Sequence, residues 1–426
     1  MKVLVVGSGG REHAIIKKIK ENKNVETIYA YPGNGGMKDD AVLVAGSATD
    51  IEGVVSFSKE NKVDYVVVTP DDPLVLGMVD ALEAEDIPCF GPKKNAAIIE
   101  GSKVFSKNLM KKYGIPTAAY EVFDDVNKAL KYVETCPIPT VVKADGLALG
   151  KGVVIAMSRE EAKEAVISAM SDHRFGASGD HIVIEEFLEG PEVSVLAFTD
   201  GKTLKPMVSS MDHKRALDND EGLNTGGMGT IAPNPLYTKA YADECMEKIF
   251  IPTIEAMQKE GRPFKGCLYF GLMLTPDGAK VVEYNCRFGD PEAQVVLPLL
   301  KTDLVDIIEA IWEEKLDKLD IEWHSGACAC VVMASGGYPQ KYETGKPISG
   351  FNADGQPDSG KAYVYHAGTK LENGTFLTAG GRVLGVTATA DDLQTALDKA
   401  YEAVSEINFD GAHFRRDIGH SALGIK

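Results

Sequence analysis

Two apolar runs joined by a tight turn constrain this chain most. Cys267 to Leu274 is apolar, Thr275-Pro276-Asp277-Gly278 places Pro and Gly where a type I or II turn takes them, and Val281-Val282-Glu283-Tyr284-Asn285-Cys286-Arg287 follows. Such a pair reads as a β-hairpin. Side chains alternate faces along a strand, so Glu283, Asn285 and Arg287 share one face and Val282, Tyr284 and Cys286 the other. The first face gathers a carboxylate, an amide oxygen and a guanidinium. Oxygen ligands suit Mg²⁺, which takes few protein groups and fills its shell with water and substrate phosphates. Arginine suits a phosphate or carboxylate held by two parallel hydrogen bonds. A strand with one solvated polar face carries the same alternation, and the loops upstream weigh against that reading. Phe288-Gly289-Asp290-Pro291-Glu292 then turns the chain and adds two acids.

Composition works by exclusion. The length of 426 residues leaves room for roughly two to four domains. With 45 basic and 63 acidic residues the net charge is −18, which argues against nucleic acid as a bulk partner. A small anionic substrate in a local basic pocket stays open. No apolar run approaches the ~18 residues of a membrane span, and Met1 to Val6 lacks a signal-peptide layout. Seven scattered cysteines point to reduced thiols and a cytoplasmic protein. No Cys or His set has zinc spacing.

The apolar strand Lys2–Val6 runs into Gly7-Ser8-Gly9-Gly10-Arg11-Glu12-His13 and then a helical pattern with Ala14, Ile15 and Ile19. A Gly-rich turn at a helix N-terminus is a ready anion site. Gly7 and Gly9 fit a dinucleotide fingerprint, but Glu12 fills the third glycine position. The second strand ends in Tyr31-Pro32-Gly33 where that fold needs an acid. NAD is therefore rejected, and a phosphate on a small substrate, helped by Arg11, stays open beside a plain βα turn. A third strand, Tyr65 to Val68, ends at Thr69-Pro70-Asp71-Asp72-Pro73, at the carboxyl end where open α/β sheets bind ligands. Residues 1–101 thus read as a small doubly wound α/β domain.

Ser102 is a candidate N-cap for a helix opening at Lys103. Strand Thr140–Lys143 and strand Val153–Ala156 flank Ala144-Asp145-Gly146-Leu147-Ala148-Leu149-Gly150-Lys151-Gly152. A Gly-rich loop with lysines at both ends, between two strands, suits a flexible phosphate cover. It is not a Walker A loop, because a strand follows where that motif needs a helix. The strand from His181 ends in Glu185-Glu186-Phe187-Leu188, whose backbone can read an adenine, and Glu192 can hold ribose hydroxyls; exposed charge explains the same acids. Asp212-His213-Lys214-Arg215 and Asn224-Thr225-Gly226-Gly227-Met228-Gly229 are loop signals without a period, open to a substrate site or a surface loop. From about 325 the chain reads as strands and turns, closed by a helix over 391–407.

These stretches, with Pro32-Gly33-Asn34, His366-Ala367-Gly368-Thr369 and Arg415 to Gly419, occur along the whole chain in one order. In that order the chain resembles the ATP-grasp enzymes and, among them, the phosphoribosylamine–glycine ligase family. It departs from the family's usual sequence at Thr69–Pro73, Leu149 and Glu221–Leu223. The resemblance implies an N-terminal α/β domain over 1–101 and an ATP-grasp core of two lobes over 102–322, with a small mobile lobe near 119–187. A C-terminal mixed α+β domain over 323–426 completes it. ATP with Mg²⁺ or Mn²⁺ would serve as cofactor, glycine and 5-phosphoribosylamine as substrates. A transient contact with the enzyme supplying the labile amine would fit.

The resemblance also distributes roles. Lys103, Lys143, Gly150, Lys151 and Gly152 would hold ATP phosphates, Glu185, Glu186, Phe187, Leu188 and Glu192 the adenosine, and Glu283 and Asn285 the metal. Arg287, Lys143 and Asp212 would act in catalysis. Gly9, Gly10, Arg11, Gly33 and Asn34 would hold the ribose phosphate, and Asp71, Asp212, Lys214, Asn224, Gly226, Arg287 and Asp290 the remaining substrate groups. Rival readings are another ATP-grasp ligase, such as a carboxylase subunit, and a non-catalytic nucleotide-binding protein.

Overall fold

The computed structural model describes residues 1–147, 152–171 and 179–424. The N-terminal sheet is parallel throughout, in the order Val42–Leu43, Thr27–Pro32, Lys2–Gly7, Tyr65–Val68, Cys89–Phe90. Its central strands are buried on both faces, which is why Lys2–Gly7 and Tyr65–Val68 read as unbroken apolar runs. The strand order reverses between Lys2–Gly7 and Tyr65–Val68, so the Gly7–Gly10 turn and Thr69–Asp71 flank the crevice at the switch point. Asp71, read above as part of a loop, is the first residue of a short helix, Asp71–Leu76.

The hairpin forms the heart of a four-stranded antiparallel sheet, Leu204–Pro206, Glu192–Asp200, Lys265–Thr275, Gly278–Asn285. Thr275 pairs with Gly278 across the turn, and Gly278 has φ +109. A bulge opposite Gly271 and Leu272 shifts the register by one residue. Val281 therefore enters the core with Tyr284 and Cys286, and Val282 is only half-buried. Strict alternation places Val282 on that apolar face; an extra residue in one strand is set by its partner and not by local alternation.

A second antiparallel sheet, Tyr120–Phe123, Ile182–Glu186, Thr140–Ala144, Val153–Ala156, carries its own apolar cluster with helices Val126–Val133 and Arg159–Met170. Its strands Thr140–Ala144 and Ile182–Glu186 lie side by side, Val141 opposite Glu185. The third large sheet runs Met211–Asp212, Gly229–Ala232, Ala327–Ala334, Arg382–Ala390, Tyr363–His366. Two stretches from the middle of the chain thus complete a sheet made chiefly of its last third. Helix Leu393–Glu406 covers that sheet, capped by Asp392, which accepts the Thr395 N–H at 2.9 Å. No helix among the described residues is long and apolar enough to cross a membrane.

Candidate active site

The polar face of the hairpin meets lysines from three directions. Lys214 Nζ lies 3.4 Å from Glu283 Oε1 and 3.2 Å from Glu192 Oε2. Lys214 holds the Glu283 carboxyl down at about 2, with Lys143 and Lys103 adding to the effect. Glu192 in turn draws the Lys214 ammonium well above its ordinary range. Lys143, on strand Thr140–Ala144 of the second antiparallel sheet, the lobe sheet, donates to the Val282 carbonyl at 3.1 Å and pairs with Glu185. Lys103 opens helix Lys103–Tyr113, where Ser102 accepts the Phe105 N–H at 3.0 Å as N-cap. Its Nζ donates to Gly146 O at 2.8 Å, so it reaches the start of the glycine loop. Burial lowers the Lys103 ammonium. Ala144 donates its N–H to the Gly152 carbonyl at 2.8 Å, closing the base of that loop. Gly150 and Lys151 lie outside the described residues.

These groups suit a polyphosphate with a divalent cation. Glu283 stays ionised at any physiological pH and Asn285 follows it on the same face. Among the described residues no group of three or more His, Cys, Asp or Glu could cage a metal alone. Two oxygen-bearing side chains plus water and phosphate is the shell that Mg²⁺ accepts, so the residues present fit that ion.

Arg287 continues the face. Its NH2 meets Glu100 Oε1 at 3.0 Å, its NH1 donates to Phe288 O at 3.2 Å, and its buried Nε has no partner. Glu100 also accepts the Cys286 N–H at 2.7 Å. One oxygen therefore fixes the strand and the other the guanidinium. Asp212 lies across from this turn, its Oδ1 accepting the His213 N–H at 2.8 Å and Thr230 Oγ1 at 3.3 Å. Burial, helped by Glu292, pushes the Asp212 carboxyl well up. Gly227, at φ +116, packs between Asp212 and Pro291 where no side chain fits. Gly226 donates its N–H to Tyr338 OH at 3.1 Å, and Asn224 pairs with Arg215 in a small hairpin.

The Gly7–Gly10 turn is occupied by the protein itself. Glu12 Oε2 accepts the Gly9 N–H at 2.6 Å, and Oε1 takes Arg11 Nε and Thr69 Oγ1, each at 2.6 Å. The residue in place of the third glycine thus supplies an anion to the helix N-terminus. Arg11 NH1 reaches across to Phe288 O at 3.2 Å. Gly10 lies against Gln294, and Gln294 donates to Asp290 Oδ1 at 2.7 Å. Gly33 (φ +71) donates to Gly7 O at 3.0 Å. Asn34 uses its whole amide on backbone: it donates to Ser8 O and His366 O, both at 2.8 Å, and accepts from Gly36 N at 2.9 Å. It ties the N-terminal sheet to the C-terminal one.

The adenosine candidates divide. Glu185 points inward to two lysines, whereas Glu186 is exposed and accepts the Ala119 N–H at 3.3 Å. Phe187 is half-buried, Leu188 is buried, and Glu192 stands beside Lys214.

Four side chains absent from the sequence reading belong to this assembly: Glu100, Lys107, Arg382 and Glu12 in its capping role. Arg382 NH1 donates to Gly226 O and Asp290 O, each at 2.6 Å, and its NH2 sits 3.4 Å from Asp290 Oδ2. Only Lys107 had a local signal, its spacing of four from Lys103 on one helix face.

Models of the three domains of phosphoribosylglycinamide synthetase match in order: the N domain over residues 1–100, the ATP-grasp (A) domain over 101–293 and the C domain over 328–421. The phosphoribosylamine–glycine ligase of Caldanaerobacter subterraneus is 48% identical over 418 residues, covering 98% of this chain and 99% of that one. That of Fusobacterium nucleatum is 44% identical over 428 residues, with 100% of both covered. The crystal structure of phosphoribosylamine–glycine ligase from Thermotoga maritima is 33% identical with a TM-score of 0.85, covering 98% of this chain and 100% of that one. The biotin carboxylase domain of Hydrogenobacter thermophilus 2-oxoglutarate carboxylase, solved with MgADP, shares the fold at 16% identity, TM-score 0.75, covering 97% and 91%. A multidomain α/β architecture, an ATP-grasp core and full-length relatives agree: the chain belongs to the phosphoribosylglycinamide synthetase family.

Proposed function

We propose that this protein joins glycine to 5-phosphoribosylamine at the expense of ATP, giving glycinamide ribonucleotide, ADP and phosphate. The observation that carries the reading is the convergence on one strand face. Ionised Glu283 feels Lys143 from the sheet that carries Thr140–Ala144 and Lys103 from helix Lys103–Tyr113, and Asn285 and Arg287 follow it at every second residue. A carboxylate resists attack by an amine, so the glycine carboxylate first takes the terminal phosphoryl group as glycyl phosphate. The amine nitrogen then attacks the acyl carbon; the C–N bond forms, the C–O bond to phosphate breaks, and the amine gives up a proton.

Phosphoryl transfer asks the protein for position and charge neutralisation more than for covalent help. Lys103 and Lys143 neutralise phosphate oxygens. Glu283 and Asn285 would hold the divalent cation, which supplies further neutralisation when bound. Arg287, held by Glu100, would grip the glycine carboxylate and stabilise charge developing on the acyl centre. Asp212 faces the glycine ammonium. The crevice beside Gly9, Gly10, Arg11 and Asp71 takes the phosphoribosyl group.

The test is ADP release by the purified protein with Mg²⁺ and ATP. Release is expected only with glycine and phosphoribosylamine present together. ADP formation with bicarbonate, or indifferent to the amine, would overturn the assignment in favour of another ATP-grasp ligase.

A further inference from the structure

Two ammonium groups share the buried carboxylate of Glu185, and the reaction as set out uses only one of them. Lys107 Nζ lies 2.5 Å from Glu185 Oε2, while Lys143 pairs with Oε1. The side chains of Lys107, Lys143 and Glu185 are 3%, 6% and 4% exposed, so water screens none of these charges. Burial alone would raise the Glu185 carboxyl, yet Lys143 and Lys107 together hold it below its ordinary range. Lys107 also donates to Thr117 Oγ1 at 2.7 Å, and Thr117 donates to Val281 O at 2.7 Å. Lys143 donates to Val282 O. Both lysines are thereby tied to successive carbonyls of the hairpin bulge, next to Glu283.

An ATP phosphate that recruits Lys143 competes with Glu185 for it. A carboxylate left buried without a counter-ion is costly, so Glu185 alone would hold Lys143 back. We propose that Lys107 is a positioning residue: as the reserve counter-ion of Glu185, it frees Lys143 to turn onto the ATP phosphates. The inference rests on the reading that Lys143 binds those phosphates. Lys107 is faced by Glu185, Glu186 and Lys143 from the lobe sheet and by the Tyr120 ring, 5.7 Å away. Burial draws its ammonium down to about 8, so its charge is lost within a range where binding can be measured.

The experiment is calorimetric titration of the full-length protein with a non-hydrolysable ATP analogue and Mg²⁺. Lys143→Met is expected to weaken binding; if it does not, the underlying reading fails, whatever Lys107 does. Lys107→Met, close to isosteric, is expected to raise Kd at least about tenfold, the factor that ~1.4 kcal/mol represents. In a Glu185→Gln background, Lys107→Met is expected to change Kd less than about twofold, because no buried anion then competes for Lys143. A merely structural role for Lys107 predicts the same loss with or without Glu185. The inference is overturned if Lys143→Met weakens binding while Lys107→Met does not, or if the loss persists in the Glu185→Gln background. Lys107→Gln gives an independent reading should Lys107→Met not fold: the same loss of affinity is expected, and it too should vanish in the Glu185→Gln background.

Discussion

Gly227 is the position where a single methyl group should do most damage. A Cβ built there would lie 2.4 Å from Pro291 Cδ and 2.6 Å from Asp212 Oδ1. Carbon contacts become favourable only near ~3.5 Å, so the loop and the proline ring must part by about 1 Å. Neither neighbour yields easily. The proline is a ring in the Asp290–Glu292 turn, and Asp212 is held by the His213 N–H and Thr230. Overpacking of this kind costs ~1–3 kcal/mol. The φ of +116, awkward for any residue with a Cβ, adds ~1–3 kcal/mol. Asp212 and the turn flank the reacting groups, and a displacement of about 1 Å at such a place lowers turnover on the order of 10²-fold. Gly227→Ala should therefore lose about two orders of magnitude in kcat/KM for glycine, read by ADP release, and unfold at lower temperature. Gly226→Ala is the control. Its Cβ would meet Arg382 Cζ at 3.0 Å, the tip of a long side chain, and no positive φ is involved. Arg382 need retreat only by a few tenths of an ångström, so Gly226→Ala should lose clearly less activity than Gly227→Ala. Near-normal kcat/KM in Gly227→Ala, or an equal loss in Gly226→Ala, would refute the packing argument.

Four further outcomes follow from the same geometry. Glu283→Ala should abolish Mg²⁺-dependent turnover while far-ultraviolet circular dichroism stays unchanged; activity near wild type removes Glu283 from the metal site. Because Lys214 lowers the Glu283 carboxyl from 4.5 to about 2, its ionised form adds stability that is complete above about pH 4.5 and is lost as pH falls towards 2. Urea unfolding between those values should depend less on pH in Glu283→Gln than in wild type. Arg287→Lys should lower kcat by roughly 10²-fold or more, since a point charge cannot reproduce a planar fork held by Glu100; a change confined to the glycine KM would count against a role in the transition state. Arg382→Met should cost roughly 1–3 kcal/mol by leaving the Gly226 and Asp290 carbonyls without their donor, visible as a lower unfolding temperature together with a raised KM for glycine.

How much of this was legible beforehand depends on how local each cause is. The hairpin was readable because Pro276 and Gly278 define the turn and Glu283, Asn285 and Arg287 alternate with apolar neighbours. The bulge was not, because it arises from pairing with Gly271 and Leu272. Ser102 and Lys103 were found from N-cap chemistry, and Lys107, one turn on, carried a visible spacing whose partner, Glu185, lies far along the chain. A second hairpin, Thr369–Glu372 with Thr375–Thr378, turns on Asn373-Gly374, the strongest short turn signal, within the stretch read above only as strands and turns. Glu12 was noticed only as a departure from a glycine pattern; that it would cap Gly9 depends on Thr69 and Arg11 holding its other oxygen. Placing Asp212 and Gly229 in one sheet with Ala327–Ala334 required long-range pairing that no local pattern encodes.

The turn after the hairpin shows why those long-range ties matter to chemistry. Its backbone carbonyls receive arginines from three separate parts of the chain. Arg11, on the first helix, and Arg287, at the end of the hairpin, both donate to Phe288 O, and Arg382, in the C-terminal sheet, donates to Asp290 O. A carbonyl has two lone pairs, and a charged donor makes the stronger kind of hydrogen bond. The position of Asp290 and Pro291 is thus set jointly by the N-terminal sheet, the core hairpin and the C-terminal sheet. A shift in any one of them moves the surface against which Gly227 and Asp212 pack. On this arrangement the C-terminal sheet shapes the site through Arg382 even though the phosphate-facing lysines described lie elsewhere in the chain.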